Sequence, residues 1–472
     1  MSESRARALT RAAYGATTRP RARIAHFGLG SFHRAHQVWF TALAGDGDEW
    51  GICAFAGRAG GLADALRAQD SLYTLIERSA SRDRFTVMTN LVEVHEGTEC
   101  ASIVDVLSRP EIVVVTTTVT ESGYRMDLDG TPRADDAELA RDVEVLRGVV
   151  HDDELDTAVV TTIPGRLLLG LEARRRADTG PLAVVPCDNV PGNGEVLRRA
   201  MSELSRRISL ELTHFLEANV SFVSTSVDRI TPRTTDRDVA LVARETPWRD
   251  AVPVVTEPFA SWVLSGTFPG GRPRWEDAGA LFVDDIEPYE RRKLWLLNGA
   301  HSLLAYVGLE AGHASVAQAI ADPRCRSAVA SFWESAGHHL RGDLDIELYC
   351  AQLIERFENA RIDYQLEQIA SDSLMKLRTR IAPVIIAERG AGRDCPAGVH
   401  VIAAWARRIT SRGPFADAEL AAVTAVLEGS TTPVADLVRL IDPELAARGD
   451  LVTQVERLVA AADGGGPLAA EV

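Results

Sequence analysis

The chain has 472 residues, of which 46% are hydrophobic and 25% are charged, a composition typical of a globular protein with two or three compact units. Its net charge of −16 argues against a nucleic acid or an anionic membrane as a partner, and charged residues, glycines and prolines interrupt every apolar stretch before it reaches the length of a membrane span. The six cysteines form no CxxC pair, which excludes a ribbon-type zinc site and predicts reduced thiols in a cytoplasmic protein.

Strand and helix patterns alternate through the first half of the chain. Apolar runs predict strands at 23–27, 51–56, 111–118, 157–162, 182–185 and 221–230. Helical patterns lie between them, from the first strand to about Ala44, at 135–150 and at 165–176. Because strands that alternate with helices form parallel sheets covered on both faces, the sequence predicts a Rossmann-like, doubly wound α/β domain.

The pattern changes near residue 284, after which the chain is predicted to be helical. Pro288 begins a helical stretch that extends to about Val307, with Asp285 as a candidate cap. Further helices are predicted at 314–320, 346–357, 399–409 and 417–427. We therefore predict an α/β domain over residues 1–283 and an all-helical domain over residues 284–472.

The first predicted strand ends in the motif Gly28-x-Gly30, which begins a helix. Two glycines permit a tight turn and let backbone N–H groups approach a pyrophosphate, although His33 occupies the place of the third glycine of the usual dinucleotide fingerprint. The second strand is followed by Arg58, with no carboxylate before Asp64. Arg58 either contacts a 2′-phosphate, which favours NADP, or is simply solvated, so the predicted cofactor is NAD or NADP.

Lysine is nearly absent from the chain. Only Lys293 and Lys376 occur, so 49 of the 51 basic residues are arginines (51 − 2). A genomic preference for arginine codons explains most of this imbalance. Lysine differs from arginine in that partial burial lets it lose its proton near neutral pH, which makes the two lysines candidate functional groups.

The predicted helix after Pro288 carries a set of polar residues on one side. At about 100° per residue, Glu290, Lys293, Asn298 and His301 fall within an arc of roughly 140°. A partly desolvated lysine can take an alcohol proton while hydride leaves, an amide can donate to the alkoxide, and an imidazole can orient the hydroxyl. The alternative is a surface lysine and a core histidine; three polar groups on one face favour the catalytic interpretation.

Several motifs in this order resemble the polyol-specific long-chain dehydrogenases, the mannitol dehydrogenase family. They are Gly28-Leu-Gly-Ser-Phe-His-Arg-Ala-His-Gln37, Cys187-Asp188-Asn189, Ser226-Val-Asp-Arg-Ile-x-Pro232 and Lys293-x4-Asn298-x2-His301. The resemblance implies a metal-independent active site between a Rossmann-like and a helical domain. It also implies a role for each matching residue: Lys293 as acid/base, Asn189 and Asn298 as oxyanion donors, His301 as substrate-positioning group, Glu121 and Glu290 as proton relay, and Gly28, Gly30, Ser31 and Phe32 as cofactor-binding turn.

The resemblance also implies substrate-binding residues. Asp228 and Lys376 match substrate-pocket positions, although Asp228 and Arg229 alternatively form an ion pair in a turn. The segment from Gln368 to Arg380 is most similar to fructuronate reductases (D-mannonate oxidoreductases), and a guanidinium and an ammonium together suit a uronate carboxylate. Mannitol 2-dehydrogenase and mannitol-1-phosphate 5-dehydrogenase are the alternatives, the latter because the same cations suit a phosphate.

Two further interpretations remain. One is a non-catalytic dinucleotide-sensing protein, which needs no desolvated acid/base, and the other is a phosphogluconate-type decarboxylating dehydrogenase. The leading hypothesis is an NAD(P)-dependent secondary-alcohol dehydrogenase whose partner is a small-molecule sugar alcohol or sugar acid, in a monomer or small homo-oligomer.

Overall fold

The computed structural model describes residues 6–16, 18–57, 61–127, 129–362 and 364–463, and only the backbone of Glu121, Ser122, Ala462 and Asp463. The chain divides into two compact units, Met1–Glu287 and Pro288–Val472. The division falls at the start of a long helix, whereas the sequence places the boundary after residue 283. Among the described residues, no helix is both long and apolar enough to cross a bilayer.

The strands all lie in the first unit. In chain order they are β1 Arg7–Ala8, β2 Ala22–Leu29, β3 Gly51–Ala56, β4 Tyr73–Arg78, β5 Asp83–Met88, β6 Leu91–His95, β7 Val114–Thr117, β8 Leu182–Pro186, β9 Val220–Phe222, β10 Ser224–Asp228, β11 Trp248–Arg249, β12 Val254–Thr256, β13 Ser261–Ser265 and β14 Leu281–Phe282. Within the described residues they form four sheets, ordered β6-β3-β2-β7-β8-β9, β12-β4-β5, β10-β13-β14 and β1-β11.

The helices of the first unit include those that connect the strands of the large sheet and pack on its faces. They are α1 Arg11–Tyr14, α2 Ser31–Ala35, α3 Gln37–Leu43, α4 Leu62–Ala68, α5 Cys100–Leu107, α6 Ala137–Asp152, α7 Ile163–Ala177, α8 Asn193–Ile208, α9 Leu210–Asn219 and α10 Asp236–Glu245. Short 3-10 turns occur at Gly47–Glu49, Glu121–Tyr124, Leu155–Thr157 and Trp275–Ala278.

The order of the large sheet is that of a Rossmann fold. Its strand pairs are all parallel, and its first strand in the chain, β2, lies between β3 and β7. The chain first adds β3 and β6 on one side of β2 and then crosses to add β7, β8 and β9 on the other. This reversal creates a crevice outside the carboxyl ends of β2 and β7, which is where ligands bind in such sheets.

Both faces of the large sheet are buried, which explains the apolar runs of its strands. Alternate residues of β2 point to opposite cores: Phe27 packs on one face and Ile24 on the other, and Leu29, after an irregularity in the strand register beyond Phe27, joins the core of Ile24. β3 does the same with Phe55 and Ile52. A strand buried on both sides loses its polar alternation, so the sequence shows a continuous apolar run.

The predicted strand at 157–162 is wrong. Residues 155–157 form a 3-10 turn, and the chain then continues without a strand into α7. The backbone N–H groups of Thr161 and Thr162 donate to the buried carboxylate of Asp142, at 3.0 and 2.7 Å. Because Asp142 satisfies these donors, the segment does not need a neighbouring strand.

The second unit is helical. Its helices are α11 Glu287–Arg292, α12 Gly299–Glu310, α13 Val316–Ala321, α14 Pro323–Gly337, α15 Ile346–Phe357, α16 Leu366–Ala370, α17 Ser373–Lys376, α18 Ala382–Gly390, α19 Pro396–Arg412, α20 Leu420–Gly429, α21 Pro433–Ile441, α22 Pro443–Ala447 and α23 Gly449–Asp463, with a 3-10 turn at Gly342–Leu344. They enclose one apolar core, in which α12 and α19 are buried along most of their length.

Two π-helical segments interrupt the helices of the second unit. Lys293–Asn298 joins α11 to α12, and Leu377–Ile381 joins α17 to α18. The two segments pack against each other. Among the described residues they are the only π-helical turns, and such turns occur frequently at functional sites.

Candidate functional site

The turn after β2 has the geometry of a dinucleotide cradle. Gly28 has a φ of +105°, and a Cβ at this position would lie 2.3 Å from the carbonyl oxygen of Thr118. Gly30, the N-cap of α2, has an extended backbone, and a Cβ there would approach only the Gly28 carbonyl oxygen, at 3.6 Å. The turn itself therefore requires Gly28. Gly30 instead leaves open space beside the start of α2, where Ser31 and Phe32 are half-buried.

Three other predicted residues follow the carboxyl ends of strands in the same sheet. Glu121 lies in the 3-10 turn after β7, and its side chain is not among those described. Asn189 follows β8, and its side chain is exposed. Arg58 follows β3 and lies outside the described residues. The choice between NAD and NADP that depends on Arg58 therefore stays a prediction.

A buried polar cluster holds the loop that carries Asn189. One carboxylate oxygen of Asp188 accepts the Val190 N–H at 2.9 Å and lies 3.3 Å from the side-chain amide of Asn193. Asn193 also bonds the N–H and the carbonyl of Thr225 in β10, at 2.8 and 3.1 Å. Since these groups are buried, their hydrogen bonds fix the loop relative to β10.

Asp228 ends β10 and is half-buried, and its neighbour Arg229 is buried. The guanidinium of Arg229 pairs with Glu77 of β4 at 3.0 Å and donates to the Glu257 carbonyl at 3.1 Å. Burial lowers the pKa of Arg229 to about 10. Glu77 is thus the carboxylate that the structure pairs with Arg229, and this pair joins three separate chain segments.

In the second unit, Lys293 and Asn298 are the first and last residues of one π-helical segment, and both are half-buried. The Gly299 N–H donates to the Leu294 carbonyl, five residues before it, instead of four. The π turn therefore brings residues five apart closer to one side of the helix than an α-helix does, where they would be separated by about 140°. The π segment aligns Lys293 with Asn298 better than the α-helical prediction does. Glu290 lies in α11, one turn earlier, and is half-buried.

His301 lies in α12 and is buried, with 6% of its surface exposed. Its ring contacts Tyr364 edge-on, with centroids 5.1 Å apart, and Phe357 at 5.0 Å. The rings of Phe357 and Tyr364 restrict the rotation of the His301 imidazole.

Arg380 and Lys376 lie on or beside the second π segment. One guanidinium nitrogen of Arg380 lies 3.3 Å from both the Asn298 carbonyl oxygen and the Ser302 hydroxyl. The Lys376 ammonium donates to the carbonyls of residues 369 and 371, at 2.9 and 2.6 Å. Burial, and secondly the charge of Arg380, lower the pKa of Lys376. Gln368 is exposed on α16.

Two groups of side chains in the described residues have the donor types and spacing of a metal site. They are Cys53, Glu93 and His95, and His313, Asp322 and Cys325. The ring nitrogens of His95 lie between the carboxylates of Glu93 and Glu99, at 2.8 and 3.0 Å. Neither group contains a predicted site residue, and metal independence stays a prediction.

His26 and Thr118 are residues near the glycine turn that the sequence reasoning missed. His26 lies fully buried in β2, and Thr118 follows β7 beside Gly28. A histidine inside an otherwise apolar strand requires buried partners, which is the signal that could have identified it.

The parallel sheet with its glycine turn at the switch point defines a Rossmann-type domain, and a helical domain follows it. Comparison with known sequences agrees. Residues 22–277 match the mannitol dehydrogenase Rossmann domain, and residues 285–418 match the mannitol dehydrogenase C-terminal domain. The chain belongs to the mannitol dehydrogenase family of oxidoreductases, which confirms the predicted family and fold.

Individual relatives differ in the activity that their names state. D-mannonate oxidoreductase of Escherichia coli (strain K12) is 33% identical over 403 residues, covering 83% of this chain and 80% of that protein. Mannitol 2-dehydrogenase of Pyrenophora tritici-repentis is 32% identical over 397 residues, covering 81% and 68%. The solved structure of Pseudomonas fluorescens mannitol 2-dehydrogenase, a ternary complex with NAD and D-mannitol, has a TM-score of 0.78 at 30% identity and covers 95% of this chain and 93% of that one.

Proposed function

We propose that the protein is an NAD(P)-dependent oxidoreductase that interconverts D-mannonate and D-fructuronate. The observation that carries the proposal is the π-helical segment that begins with Lys293 and ends with Asn298. An amine and an amide aligned on one side of a helix, with the buried His301 on the next turn, supply the groups that hydride transfer to a carbonyl requires.

The proposed mechanism assigns one task to each side chain. Lys293 takes the proton of the substrate hydroxyl during oxidation and returns it to the carbonyl oxygen during reduction. Asn189 and Asn298 donate hydrogen bonds to the oxyanion, and His301 orients the hydroxyl. Glu290, which is half-buried, and Glu121 pass the proton between the amine and solvent.

The first unit fits the proposed cofactor. Gly28 adopts the conformation of a phosphate-binding turn, and Gly30 leaves the space that a side chain would fill, beside the first turn of α2. We assign the turn from Gly28 through Gly30, Ser31 and Phe32 to the pyrophosphate, and Arg58 to a 2′-phosphate if the cofactor is NADP. When bound, the nicotinamide accepts or donates the hydride.

A carboxylate substrate is favoured by the cations of the second π segment. Burial and then the charge of Arg380 lower the pKa of Lys376, and the carboxylates of Asp372 and Asp417 act in the opposite direction. A guanidinium matches a carboxylate well, so we assign the uronate carboxylate to Arg380, with Lys376 as the second cation. Asp228 and Gln368 are proposed to bind sugar hydroxyls. The 33% identity to D-mannonate oxidoreductase supports the same choice.

Mannitol 2-dehydrogenase activity is the second candidate. The observation that favours it is that Lys376 already donates to two backbone carbonyls, so that only part of its donor capacity remains for a carboxylate. Relatives of this activity are 30% and 32% identical to the chain. Mannitol 1-phosphate is the third candidate, because the same cations suit a phosphate.

A substrate panel tests the proposal. In the reductive direction, the oxidation of NADH or NADPH is followed by its absorbance with D-fructuronate, D-fructose and D-fructose 6-phosphate. In the oxidative direction, the reduction of NAD or NADP is followed with D-mannonate, D-altronate, D-arabinitol, D-mannitol and mannitol 1-phosphate. We expect the highest kcat/KM with D-fructuronate. A higher value with D-fructose selects the second candidate. Binding of the dinucleotide without turnover of any substrate would instead identify a sensor, and release of carbon dioxide would identify a decarboxylating enzyme.

A further inference from the structure

A chain of hydrogen bonds runs from the interior of the large sheet to the glycine turn. The imidazole of His26, buried in β2, has Nδ1 2.8 Å from the Thr116 hydroxyl and Nε2 3.0 Å from the Thr118 hydroxyl. The Thr118 hydroxyl lies 2.8 Å from the carbonyl oxygen of Gly28. Each group in this chain therefore contacts the next, and the last contact is the backbone of the turn.

The direction of each hydrogen bond follows from the donors available. The Gly28 carbonyl can only accept, so the single hydroxyl proton of Thr118 is donated to it. Thr118 must then accept from His26, which places the imidazole proton on Nε2. Nδ1 is left without a proton and accepts from the Thr116 hydroxyl. The network thus assigns a neutral imidazole in one tautomer. Burial lowers the pKa of His26 to about 3, which keeps the imidazole neutral at physiological pH.

We propose that His26, acting through Thr118, is a positioning residue that fixes the Gly28 peptide and thereby the shape of the dinucleotide-binding turn. Because a peptide group is planar, a carbonyl held in one direction fixes the orientation of the whole peptide. Thr118 reinforces this with its backbone, since its N–H donates to the Phe27 carbonyl at 3.0 Å. The inference rests on the proposed binding of a dinucleotide at this turn.

His33 completes the arrangement from the other side. It lies on α2, where the usual fingerprint has its third glycine, and its ring stacks on that of His26 with centroids 3.3 Å apart and an angle of 8°. The third glycine normally allows close packing of helix and strand. Here the helix and the strand pack closely although His33 carries a side chain, because its flat ring stacks on that of His26. His33 therefore covers one face of the His26 ring, which in turn orients Thr118.

The test compares two substitutions at Thr118. Thr118→Val keeps the shape and removes the hydroxyl, whereas Thr118→Ser keeps the hydroxyl. We expect Thr118→Val to raise the dissociation constant of NADH or NADPH by about three- to tenfold, the loss of one neutral hydrogen bond, and Thr118→Ser to remain within about twofold of the wild type. In steady-state kinetics the loss should fall on the KM of the cofactor and not on the KM of the sugar.

A control variant separates positioning from general destabilisation. Thr213 of α9 is buried, and its hydroxyl donates to the Ser209 carbonyl at 3.0 Å. Thr213→Val should lower the melting temperature to a similar extent as Thr118→Val and leave cofactor affinity unchanged. Wild-type affinity in Thr118→Val, or equal losses in the valine and serine variants, would overturn the inference.

A second measurement observes the hydrogen-bond chain in the wild-type protein itself. In protein labelled with ¹⁵N-histidine, the chemical shifts of His26 should report a neutral ring with its proton on Nε2, and assignment is made by comparison with His26→Asn. A proton on Nδ1 would overturn the relay. Failure of the wild-type protein to bind either dinucleotide would refute the proposed function, and the tautomer would still decide whether the hydrogen-bond chain exists.

Discussion

Replacing Lys293 with methionine removes the proposed acid/base and keeps a side chain of similar length. Removal of a positioned general acid or base lowers turnover by a factor of about 100 to 10,000, which is about 3–5 kcal/mol of activation free energy. The glycine turn belongs to the first unit, so cofactor affinity should stay within about twofold of the wild type. Lys293 is half-buried and its apolar stem is retained, so the free energy of unfolding should change by less than about 1 kcal/mol.

The assay is kcat for D-fructuronate reduction at saturating cofactor, measured together with NADH or NADPH fluorescence titration and urea unfolding. The other lysine provides a matched control. Lys376→Met removes two hydrogen bonds to backbone carbonyls, so it should raise the substrate KM and lower the unfolding free energy by about 1–3 kcal/mol. Added primary amines should restore part of the turnover of Lys293→Ala. Turnover above one tenth of wild type in Lys293→Met, with the fold intact, would refute the assignment.

Three further predictions concern the first unit. Gly30→Ala should leave the melting temperature unchanged, because its Cβ has room, and should weaken cofactor binding at least about tenfold by filling the cradle. Gly148→Ala in α6, where a Cβ also has free space, is the control in the same titration. Burial lowers the pKa of His26 to about 3, whereas the pKa in the unfolded chain is near 6.5. At pH about 5 the unfolded chain therefore binds a proton that the folded chain does not, and the free energy of unfolding in urea should fall by about 2 kcal/mol relative to pH 7. This contribution should be missing in His26→Asn. Arg229→Met leaves the buried Glu77 with Arg84, whose side chain is largely exposed, as its charged partner, and chemical denaturation should show a loss of unfolding free energy of about 2–3 kcal/mol; a loss below about 1 kcal/mol would contradict the structural role of the pair between Arg229 and Glu77.

The strands of the large sheet could be predicted because of where they lie. β2, β3, β7 and β8 are buried on both faces, so their sequences are continuous apolar runs. β5 is partly exposed along its length, and the same criterion missed it. The segment 157–162 has the apolar character of a strand but gives its N–H groups to Asp142, a contact between residues 19 and 20 positions apart that no local pattern predicts.

The sequence could predict which residues belong to the candidate site, but not how their side chains are arranged in space. Lys293, Asn298 and His301 are close in the chain, so helical spacing alone placed them together. The π segment that aligns the first two has no periodic signature, because it depends on packing against the second π segment. The contact between Arg380 and the Asn298 carbonyl joins residues 82 positions apart, and only the tertiary structure reveals it.

The π turn of Lys293–Asn298 has a consequence for how the helix tolerates insertions and deletions. A π turn holds one residue more than the α-helical turn that it replaces. Deleting one residue between Lys293 and Asn298 would restore uninterrupted α-helical hydrogen bonding from α11 to α12 and leave the two helices in nearly the same relative rotation, with the two side chains about 40° apart around the axis. Such a shortened chain should fold at least as stably as its parent, and because α11 and α12 keep their relative rotation, its activity reports whether the proposed catalytic groups need the π turn itself.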